Sequence, residues 1–262
     1  MDLGISGKRA LVMASSKGLG LACATALAAE GAHVLLCGRS ADKLAAAAAD
    51  ITAMGPGKAD FVVVDLSDPA SVQVLVDAAQ DKLGGVDILV NNTGGPPPGR
   101  MVDSDLDVLA RQFDMMAMRV FAVTAALLPA MQAQKWGRII TIGSSGVIQP
   151  IPNLGLSNTI RSALVGWSKS LSNDVAADGV TVNMLLPGRI QTERVNELDT
   201  AASKRTGASM DDIRAAARAT IPAGRYGDPA EFGAVAAFLA STQASYVTGS
   251  LIRCDGGATK SV

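Results

Sequence analysis

The amino-acid sequence predicts an α/β fold with one doubly wound sheet of seven parallel strands and helices on both faces. Short apolar runs alternate with longer helical patterns along all 262 residues. The runs lack polar alternation, which is typical of strands covered on both faces. There is no internal repeat, low-complexity tract or linker, and the length suits one hydrophobic core. The sequence therefore predicts a single domain over residues 1–262.

Seven runs, each bounded by Gly, Asp, Asn or Pro, are the predicted strands. In chain order they are RALVMA (9–14), HVLLC (33–37), DFVVVD (60–65), DILVNN (87–92), RIITIG (138–143), TVNMLL (181–186) and SLIRCD (250–255). The segments between them, such as GLACATALAAEG and SADKLAAAAADITAMG, are rich in Ala and Leu and long enough for helices. This alternation predicts a parallel sheet with right-handed crossovers.

One polar and charged segment, residues 189–222, interrupts the alternation before the last long helix. Ser209 and Asp212 have the spacing of a capping box for a short helix inside it. An insertion at this place overhangs the carboxyl ends of the strands, where open α/β sheets bind ligands. We predict a substrate lid, and the alternative is a solvated surface hairpin of helices.

Composition and charge exclude several classes of function. The formal net charge of −1 gives no electrostatic reason to expect a nucleic acid or an anionic membrane as a partner. No apolar run is expected to reach the length of a membrane span, and the first residues lack the apolar core of a signal peptide. Three widely spaced cysteines argue against a disulfide framework and indicate a cytoplasmic protein. The single histidine, His33, opens a strand and is interpreted as structural, so we predict no metal site.

The segment ASSKGLG, residues 14–20, joins the first strand to the first helix and predicts a phosphate-binding loop. Gly18 and Gly20 let a pyrophosphate approach the backbone, and the helix N-terminus supplies amide donors. In this context the sheet is predicted to be Rossmann-type, although a purely structural tight turn is the alternative. The candidate cofactor contacts in the loop are Ala14, Ser16, Lys17, Gly18, Leu19 and Gly20.

The end of the second strand predicts which dinucleotide binds. NAD(H)-binding proteins place an acid there for the ribose 2′-hydroxyl, whereas this chain has Gly38 and Arg39 and no acid before Asp42. A guanidinium pairs with the 2′-phosphate of NADP(H), and Lys17 offers a second positive charge. We therefore predict NADP(H) rather than NAD(H); the alternative is two solvated surface cations.

These features and several further motifs resemble the short-chain dehydrogenases/reductases, and among them the 3-oxoacyl-acyl-carrier-protein reductases. The motifs cover nearly the whole chain and are VVDLSD, NNTGG (91–95), GRIITIGSS, PGRIQT (187–192), RYGDPAE and SYVTGSLIRCDGG. The resemblance implies a homotetramer and a small-molecule substrate. It also implies cofactor contacts from Asp65, Leu66, Asn92, Gly94, Pro187, Gly188, Ile190 and Thr192. The family's first loop glycine is Ala14 here, which we expect to tighten the turn while keeping the phosphate amides.

The chain departs from this family at the catalytic tetrad of Asn, Ser, Tyr and Lys. Counted from GRIITIGSS, the asparagine position is Met116 and the serine position is Ser144, which is retained. The tyrosine position is Ser157, and the lysine position, four residues further on, is Arg161. The predicted catalytic residues are therefore Ser144, Ser157 and Arg161, in an atypical active site.

These substitutions change the acid–base chemistry that the resemblance implies. A serine hydroxyl is shorter than a phenol and a far weaker acid, and Met116 cannot hold a relay water. Arg161 cannot trade a proton, but its fixed charge can bind the nicotinamide ribose and stabilise an oxyanion at any pH. The candidate proton donors are Glu193, Tyr226, Tyr246 and a water held by Ser144 and Ser157.

Two questions about function stay open at this stage. If four arginines converge on one cleft, the substrate carries a carboxylate or a phosphate; otherwise they are separate solvated residues. They are Arg100, Arg161, Arg189 and Arg194. The favoured function is an NADP(H)-dependent oxidoreductase that acts on a carbonyl or alcohol through a non-standard proton donor. The alternative is a cofactor-binding protein of the same fold without redox turnover, with a regulatory or assembly role.

Overall fold

The computed structural model describes residues 2–261 and contains one sheet of seven strands that are all parallel, as predicted. The order across the sheet is β3-β2-β1-β4-β5-β6-β7, so the chain reverses its direction of winding between β1 and β4. The strands are β1 (Arg9–Val12), β2 (His33–Gly38), β3 (Lys58–Val63), β4 (Ile88–Asn91), β5 (Gly137–Ile142), β6 (Val180–Pro187) and β7 (Leu251–Cys254).

Helices cover both faces of the sheet. They are α1 (Gly18–Ala29), α2 (Ala41–Met54), α3 (Ser71–Leu83), α4 (Leu106–Phe113), α5 (Arg119–Ala133), α6 (Gly155–Val175), α7 (Glu193–Thr206), α8 (Met210–Ala219) and α9 (Pro229–Ala240). Alternate residues of each central strand enter different cores. In β1, Val12 packs in the core that contains α1, α2 and α9, whereas Leu11 packs in the core that contains α3 and α5. This period of two is what a strand covered on both faces requires.

The two edge strands differ from the prediction that all seven strands are buried. Val63 of β3 is 47% exposed and Leu251 of β7 is 38% exposed. Each of these strands has a neighbour on one side only, so part of its surface stays open. Their apolar runs predicted the strands correctly but gave no information about their place at the edges.

The segment 189–222 folds into two helices, α7 and α8, where the sequence predicted one short helix. The predicted capping box is present only in part. The Ser209 hydroxyl accepts from the Asp212 amide at 3.1 Å and opens α8, but the Asp212 carboxylate accepts from the Ser209 hydroxyl rather than from the Ser209 amide. Thr192 caps α7 in the same way. Helix α7 was missed because ERVNELDTAASKRT is polar and buries only Val195 and Asp199.

One continuous helical segment contradicts the expectation that no stretch reaches membrane length. It spans Leu106–Ala133 and includes α4, a wider π-helical turn at Asp114–Met118, and α5. Its length and mean hydropathy of 1.4 would suit a membrane span. In this structure the buried side chains of α5, among them Val123 and Met131, pack into the core beneath the sheet. The segment is accounted for as a core helix of the domain.

Candidate functional site

The loop between β1 and α1 presents an open row of backbone amides. The amides of residues 16–20 donate to no acceptor within the described residues 2–261. Ser15 holds the loop in place, since its hydroxyl donates to the Val12 carbonyl at 2.7 Å and accepts from the Cys37 amide at 3.0 Å. Free amides at a helix N-terminus are suited to phosphate oxygens, because the partial positive charge of the helix is concentrated there.

Close packing shapes this loop around Gly20. A Cβ on Gly20 would lie 2.6 Å from the Ala14 carbonyl oxygen and 2.8 Å from the Asn92 side-chain nitrogen. Asn92, which was predicted to contact the cofactor, donates to the Ala14 carbonyl at 3.1 Å and so ties the end of β4 to the loop. The position therefore requires glycine, and the loop lies against the loop that follows β4.

We had expected Ala14 simply to tighten the turn, but its backbone conformation is also unfavourable for a residue with a side chain. Its φ of +46° lies in the left-handed region that favours glycine. A side chain there strains the backbone because its Cβ approaches the following carbonyl. The substitution of the family glycine thus keeps the shape of the loop at a cost in conformational energy.

The end of β2 lies directly beside the phosphate loop. A Cβ on Gly38 would be 3.2 Å from the Ser16 hydroxyl, so Arg39 leaves the sheet next to Ser16. The exposed Arg39 side chain makes no hydrogen bond within residues 2–261. Its charge contributes, after the hydrogen bonds from Ser67, to lowering the pKa of Asp65. Arg39 is therefore positioned for a phosphate near the end of β2.

Lys17 is engaged differently from the prediction. Its ammonium pairs with the carboxylate of Glu193, the first residue of α7. The hydrogen bond and charge of Lys17 lower the pKa of Glu193, so this carboxyl group is ionised at neutral pH. The structure thus argues against Glu193 as a general acid, and the charge of Lys17 is partly offset before any phosphate binds.

The segment PGRIQT runs from β6 to the start of α7 beside the phosphate loop. Pro187 ends β6, and the Gly188 amide donates to the Cys254 carbonyl at 2.9 Å. Ile190 is buried, and Thr192 approaches Gly18 closely enough that a Cβ there would be 3.9 Å from its methyl carbon. Among the other predicted contacts, Leu66 is buried, and Gly94 is exposed with open space around it. The predicted cofactor residues lie at or just beyond the carboxyl ends of the strands, in the loops or, for Gly18, Leu19, Gly20 and Arg161, in the first turns of α1 and α6.

The predicted catalytic serines lie on either side of the turn between β5 and α6. The Ser144 hydroxyl accepts from the Gly146 amide at 3.1 Å. Ser157, in the first turn of α6, is half-buried, and its hydroxyl makes no hydrogen bond within the described residues. Met116 is fully buried in the π-helical turn and packs with Ile160. Its side chain is therefore part of the core.

Arg161 lies at the carboxyl end of β5. Its side chain is 8% exposed, and its Nη1 donates to the Ile142 carbonyl at 2.8 Å. The hydrogen bonds of Arg161 within the described residues do not include the Ser157 hydroxyl, four residues earlier on α6. Burial, and to a smaller extent the nearby charge of Arg194, lowers the pKa of Arg161 to about 10. The group is charged at neutral pH. The sequence had led us to expect that it is charged at every pH, which the lowered pKa does not support.

Two of the four candidate arginines converge and two do not. Arg194 donates from Nη2 to the Pro96 carbonyl at 2.8 Å, in the loop that follows β4, and its charge acts on Arg161. Arg100 is exposed and pairs with Asp103. Arg189 pairs with Asp199, which is fully buried. Their partners hold Arg100 and Arg189 away from the pair.

Neither tyrosine is placed to donate a proton in the cleft. Tyr226 donates to Asp199 at 3.0 Å, and burial together with this carboxylate raises its pKa. Tyr246 is fully exposed and precedes Thr248, whose hydroxyl accepts from the Val182 amide near the amino end of β6. Tyr246 is therefore at the opposite edge of the sheet. Residues 2–261 contain no group of three His, Cys, Asp or Glu side chains able to hold a metal ion.

Arg194 is a candidate site residue that was almost missed from the sequence. It was considered as one of four scattered arginines but was not among the predicted site residues. The available signal was its place two residues after PGRIQT, a segment that must start at the carboxyl end of β6. Its contact with Pro96 joins α7 to a loop almost a hundred residues earlier, which no local pattern reveals.

Comparison with known proteins gives consistent matches along the chain. Residues 13–259 match the family model described as Enoyl-(Acyl carrier protein) reductase. The chain is 36% identical to the 3-oxoacyl-acyl-carrier-protein reductase FabG of Escherichia coli (strain K12) over 260 residues, which covers 97% of this chain and 98% of that protein. It is similar in structure to L-sorbose reductase from Gluconobacter frateurii, solved with NADPH and L-sorbose, with a TM-score of 0.94, 32% identity and 100% of both chains covered. YwfH, an NADPH-dependent reductase involved in bacilysin biosynthesis, gives a TM-score of 0.92 at 29% identity, with 98% of this chain and 100% of that chain covered.

Proposed function

The chain belongs to the short-chain dehydrogenase/reductase family, and from that premise we propose that it is an NADP(H)-dependent oxidoreductase acting on a carbonyl or alcohol substrate. The observation that carries the proposal is the row of unpaired amides at residues 16–20, at the start of α1. This row lies where the order of the sheet reverses, between β1 and β4, which is where doubly wound sheets bind dinucleotides.

The residues around this row fit a dinucleotide phosphate. The amides of residues 16–20 would hold the pyrophosphate, and Arg39 would pair with a 2′-phosphate at the end of β2. No carboxylate occupies the end of β2, where an NAD(H) enzyme needs one. The NADPH present in the structures of L-sorbose reductase and the NADPH dependence of YwfH support the same choice.

The chain's own groups suggest a chemistry without a phenol. When bound, the dinucleotide supplies or accepts the hydride. The charge of Arg161 would stabilise the developing negative charge on the substrate oxygen, and the Ser144 hydroxyl would donate a hydrogen bond to it. Since Tyr226 is bound to Asp199, Tyr246 lies near the amino end of β6 and Glu193 is ionised, the proton would come from a water near Ser144 and Ser157.

Cofactor titration tests this proposal. NADPH should bind about ten- to a hundredfold more tightly than NADH, because a phosphate–arginine contact contributes roughly 1.5–3 kcal/mol. Calorimetry of the wild type, Arg39→Ala and the exposed control Arg205→Ala measures the difference. The Arg39 variant should lose the preference and the control should keep it. Equal affinities in the wild type, or an Arg39 variant that still prefers NADPH, would contradict the proposal.

One observation favours a second candidate function, a cofactor-binding protein without redox turnover. The Ser157 hydroxyl makes no hydrogen bond within residues 2–261, and of the two phenols in those residues Tyr226 is bound to Asp199 and Tyr246 is fully exposed. A protein that binds NADPH but transfers no hydride to any carbonyl would have this second function.

We also propose a lid, an oligomer and a location for the enzyme. Helix α7 contacts the phosphate loop through Glu193 and the loop after β4 through Arg194, which supports a lid over the cleft. A homotetramer, as the family resemblance implies, would cover exposed apolar side chains near α4 such as Val102 and Leu106. The likeness to FabG supports a cytoplasmic enzyme acting on a small molecule.

A further inference from the structure

The guanidinium of Arg161 has donors that no protein group uses. Nη1 donates to the Ile142 carbonyl, but Nε and Nη2 donate to no acceptor in residues 2–261. Both of these nitrogens keep some contact with solvent, although Arg161 as a whole is only 8% exposed. Nε and Nη2 of this buried cation therefore keep unused hydrogen-bond donors and some exposure to solvent at the carboxyl end of β5.

Arg161 also lacks a counter-charge. No carboxylate in the described part of the chain forms an ion pair with it, and the charged group that acts on it, Arg194, has the same sign. An unpaired buried charge is costly, since the interior solvates it poorly. Neutral hydroxyls of a cofactor ribose could accept its hydrogen bonds but would not offset the charge.

Arg194 approaches the same edge of the sheet from α7. Its Nη2 donates to the Pro96 carbonyl, and the guanidinium lies over Gly95, where a Cβ would be 3.0 Å from that nitrogen. Its one carboxylate contact, Glu197 at 3.3 Å, is a half-exposed pair within one turn of α7, which offsets little of its charge. Strands β4 and β5 are adjacent, so the loop that Arg194 contacts after β4 begins beside the strand end that Arg161 contacts.

We propose that Arg161 and Arg194 together bind an oxyanion group of the substrate, either a carboxylate or a phosphate. This inference rests on the proposed function, because it makes the acceptor of the hydride an anionic carbonyl compound. A guanidinium bonds two oxygens of such a group at once, so an oxyanion between the two arginines satisfies the open donors and the unpaired charge together. Arg194, on the proposed lid helix α7, is then a specificity-determining residue.

Titration with small oxyanions tests this site directly. Protein saturated with NADPH, so that the amides of residues 16–20 are blocked, is titrated by calorimetry with oxalate, with inorganic phosphate and with uncharged oxamide. Oxalate or phosphate should bind and oxamide should not. Arg194→Gln should weaken the oxyanion about ten- to a hundredfold, the cost of a lost charged hydrogen bond, and Arg161→Met should weaken it at least as much. Arg100→Gln is the matched control, because that arginine is exposed and paired with Asp103.

The outcomes separate the sources and the two proposals. Binding of oxalate alone assigns a carboxylate, binding of phosphate alone assigns a phosphate ester, and binding of both supports the shared chemistry. The inference is overturned if neither anion binds, or if the Arg194 and Arg100 variants weaken binding equally. The same titrations without NADPH, compared between wild type and Arg194→Gln, test the site even if the cofactor does not bind. Failure of NADPH binding would contradict the proposed function, whereas intact NADPH binding without oxyanion binding would contradict only this inference.

Discussion

At the scale of single residues, the proposed chemistry depends most on Ser157 and Arg161, two of the three tetrad positions at which we expect the chain to depart from its family. Counting from GRIITIGSS placed Ser157 and Arg161 on the first turns of α6, and the helix begins at Gly155 as this requires. The sequence could not show that Nη1 of Arg161 would be taken by the Ile142 carbonyl, because that contact joins residues on two separate elements. It also could not show that Arg194 would come close enough to affect the pKa of Arg161.

Replacement of Arg161 tests whether it acts through its charge. Arg161→Met should lower kcat/KM by about 10²–10³-fold if the cation stabilises the developing oxyanion. Arg161→Lys should restore little, because an ammonium lacks the planar fork and finds no phenol to activate. Steady-state kinetics and NADPH calorimetry on both variants measure these effects. Full activity in Arg161→Met would show that the cation takes no part in turnover.

The double variant Ser157→Tyr with Arg161→Lys tests whether the rest of the site is competent. It restores the family's phenol and lysine and should gain carbonyl-reductase activity, since a general acid contributes about 10²–10⁴-fold. The gain should be partial, because Met116 fills the position of the asparagine that supports proton relay. Turnover of a panel of ketones is compared with that of each single variant. A double variant that binds NADPH but stays inactive would mean that the pocket itself has diverged.

At the scale of elements, the strands, the loop at residues 14–20 and the cap of α8 were predictable, and α7 was not. Buried parallel strands are continuous apolar runs, so each of the seven was visible in the sequence. Helix α7 is polar on most of its surface and is held by contacts at its first turn, such as Glu193 with Lys17 and Arg194 with Pro96. Such contacts form only when distant loops meet at the carboxyl edge of the sheet. The left-handed backbone at Ala14 likewise could not be predicted from the local sequence pattern.

The phosphate loop gives a stability prediction of unusual sign. Ala14→Gly should leave the free energy of unfolding unchanged or raise it by up to about 1 kcal/mol, because glycine adopts a φ of +46° without strain. The matched control is Ala45→Gly on the exposed side of α2, which should lower it by about 0.5–1 kcal/mol. Denaturant unfolding of both variants gives the comparison. If Ala14→Gly destabilises the protein as much as the control does, Ala14 is not strained.

At the scale of the whole molecule, the sheet collects residues from six separate loops at one edge. The parallel direction followed from the alternation of runs and helical segments, whereas the strand order was not predicted. Together they place the predicted cofactor and catalytic residues at one edge. The substrate did not follow, because in our proposal its pocket is completed by α7 and by the loop after β4. A fold of this kind serves many reactions, so the activity must be read from the site.

The proposed site predicts which substrates the enzyme reduces. Without a phenol, 3-oxoacyl thioesters should be reduced slowly or not at all, by roughly 10²–10⁴-fold relative to an enzyme with a general acid. Their reacting end carries no anionic group to meet Arg161 and Arg194. Carbonyl compounds with a carboxylate or phosphate near the ketone should be better substrates than uncharged compounds of the same size.

The most direct measurement is the oxidation of NADPH by the wild type and Arg161→Met against matched anionic and uncharged carbonyl compounds, with 3-oxoacyl thioesters included. The account predicts turnover by the wild type that is selective for anionic carbonyls, and its loss by about 10²–10³-fold in the variant. Fast reduction of 3-oxoacyl thioesters would show that an effective proton donor is present after all. Tight NADPH binding with no turnover of any compound would contradict the claim that this protein is an oxidoreductase and would favour the second function.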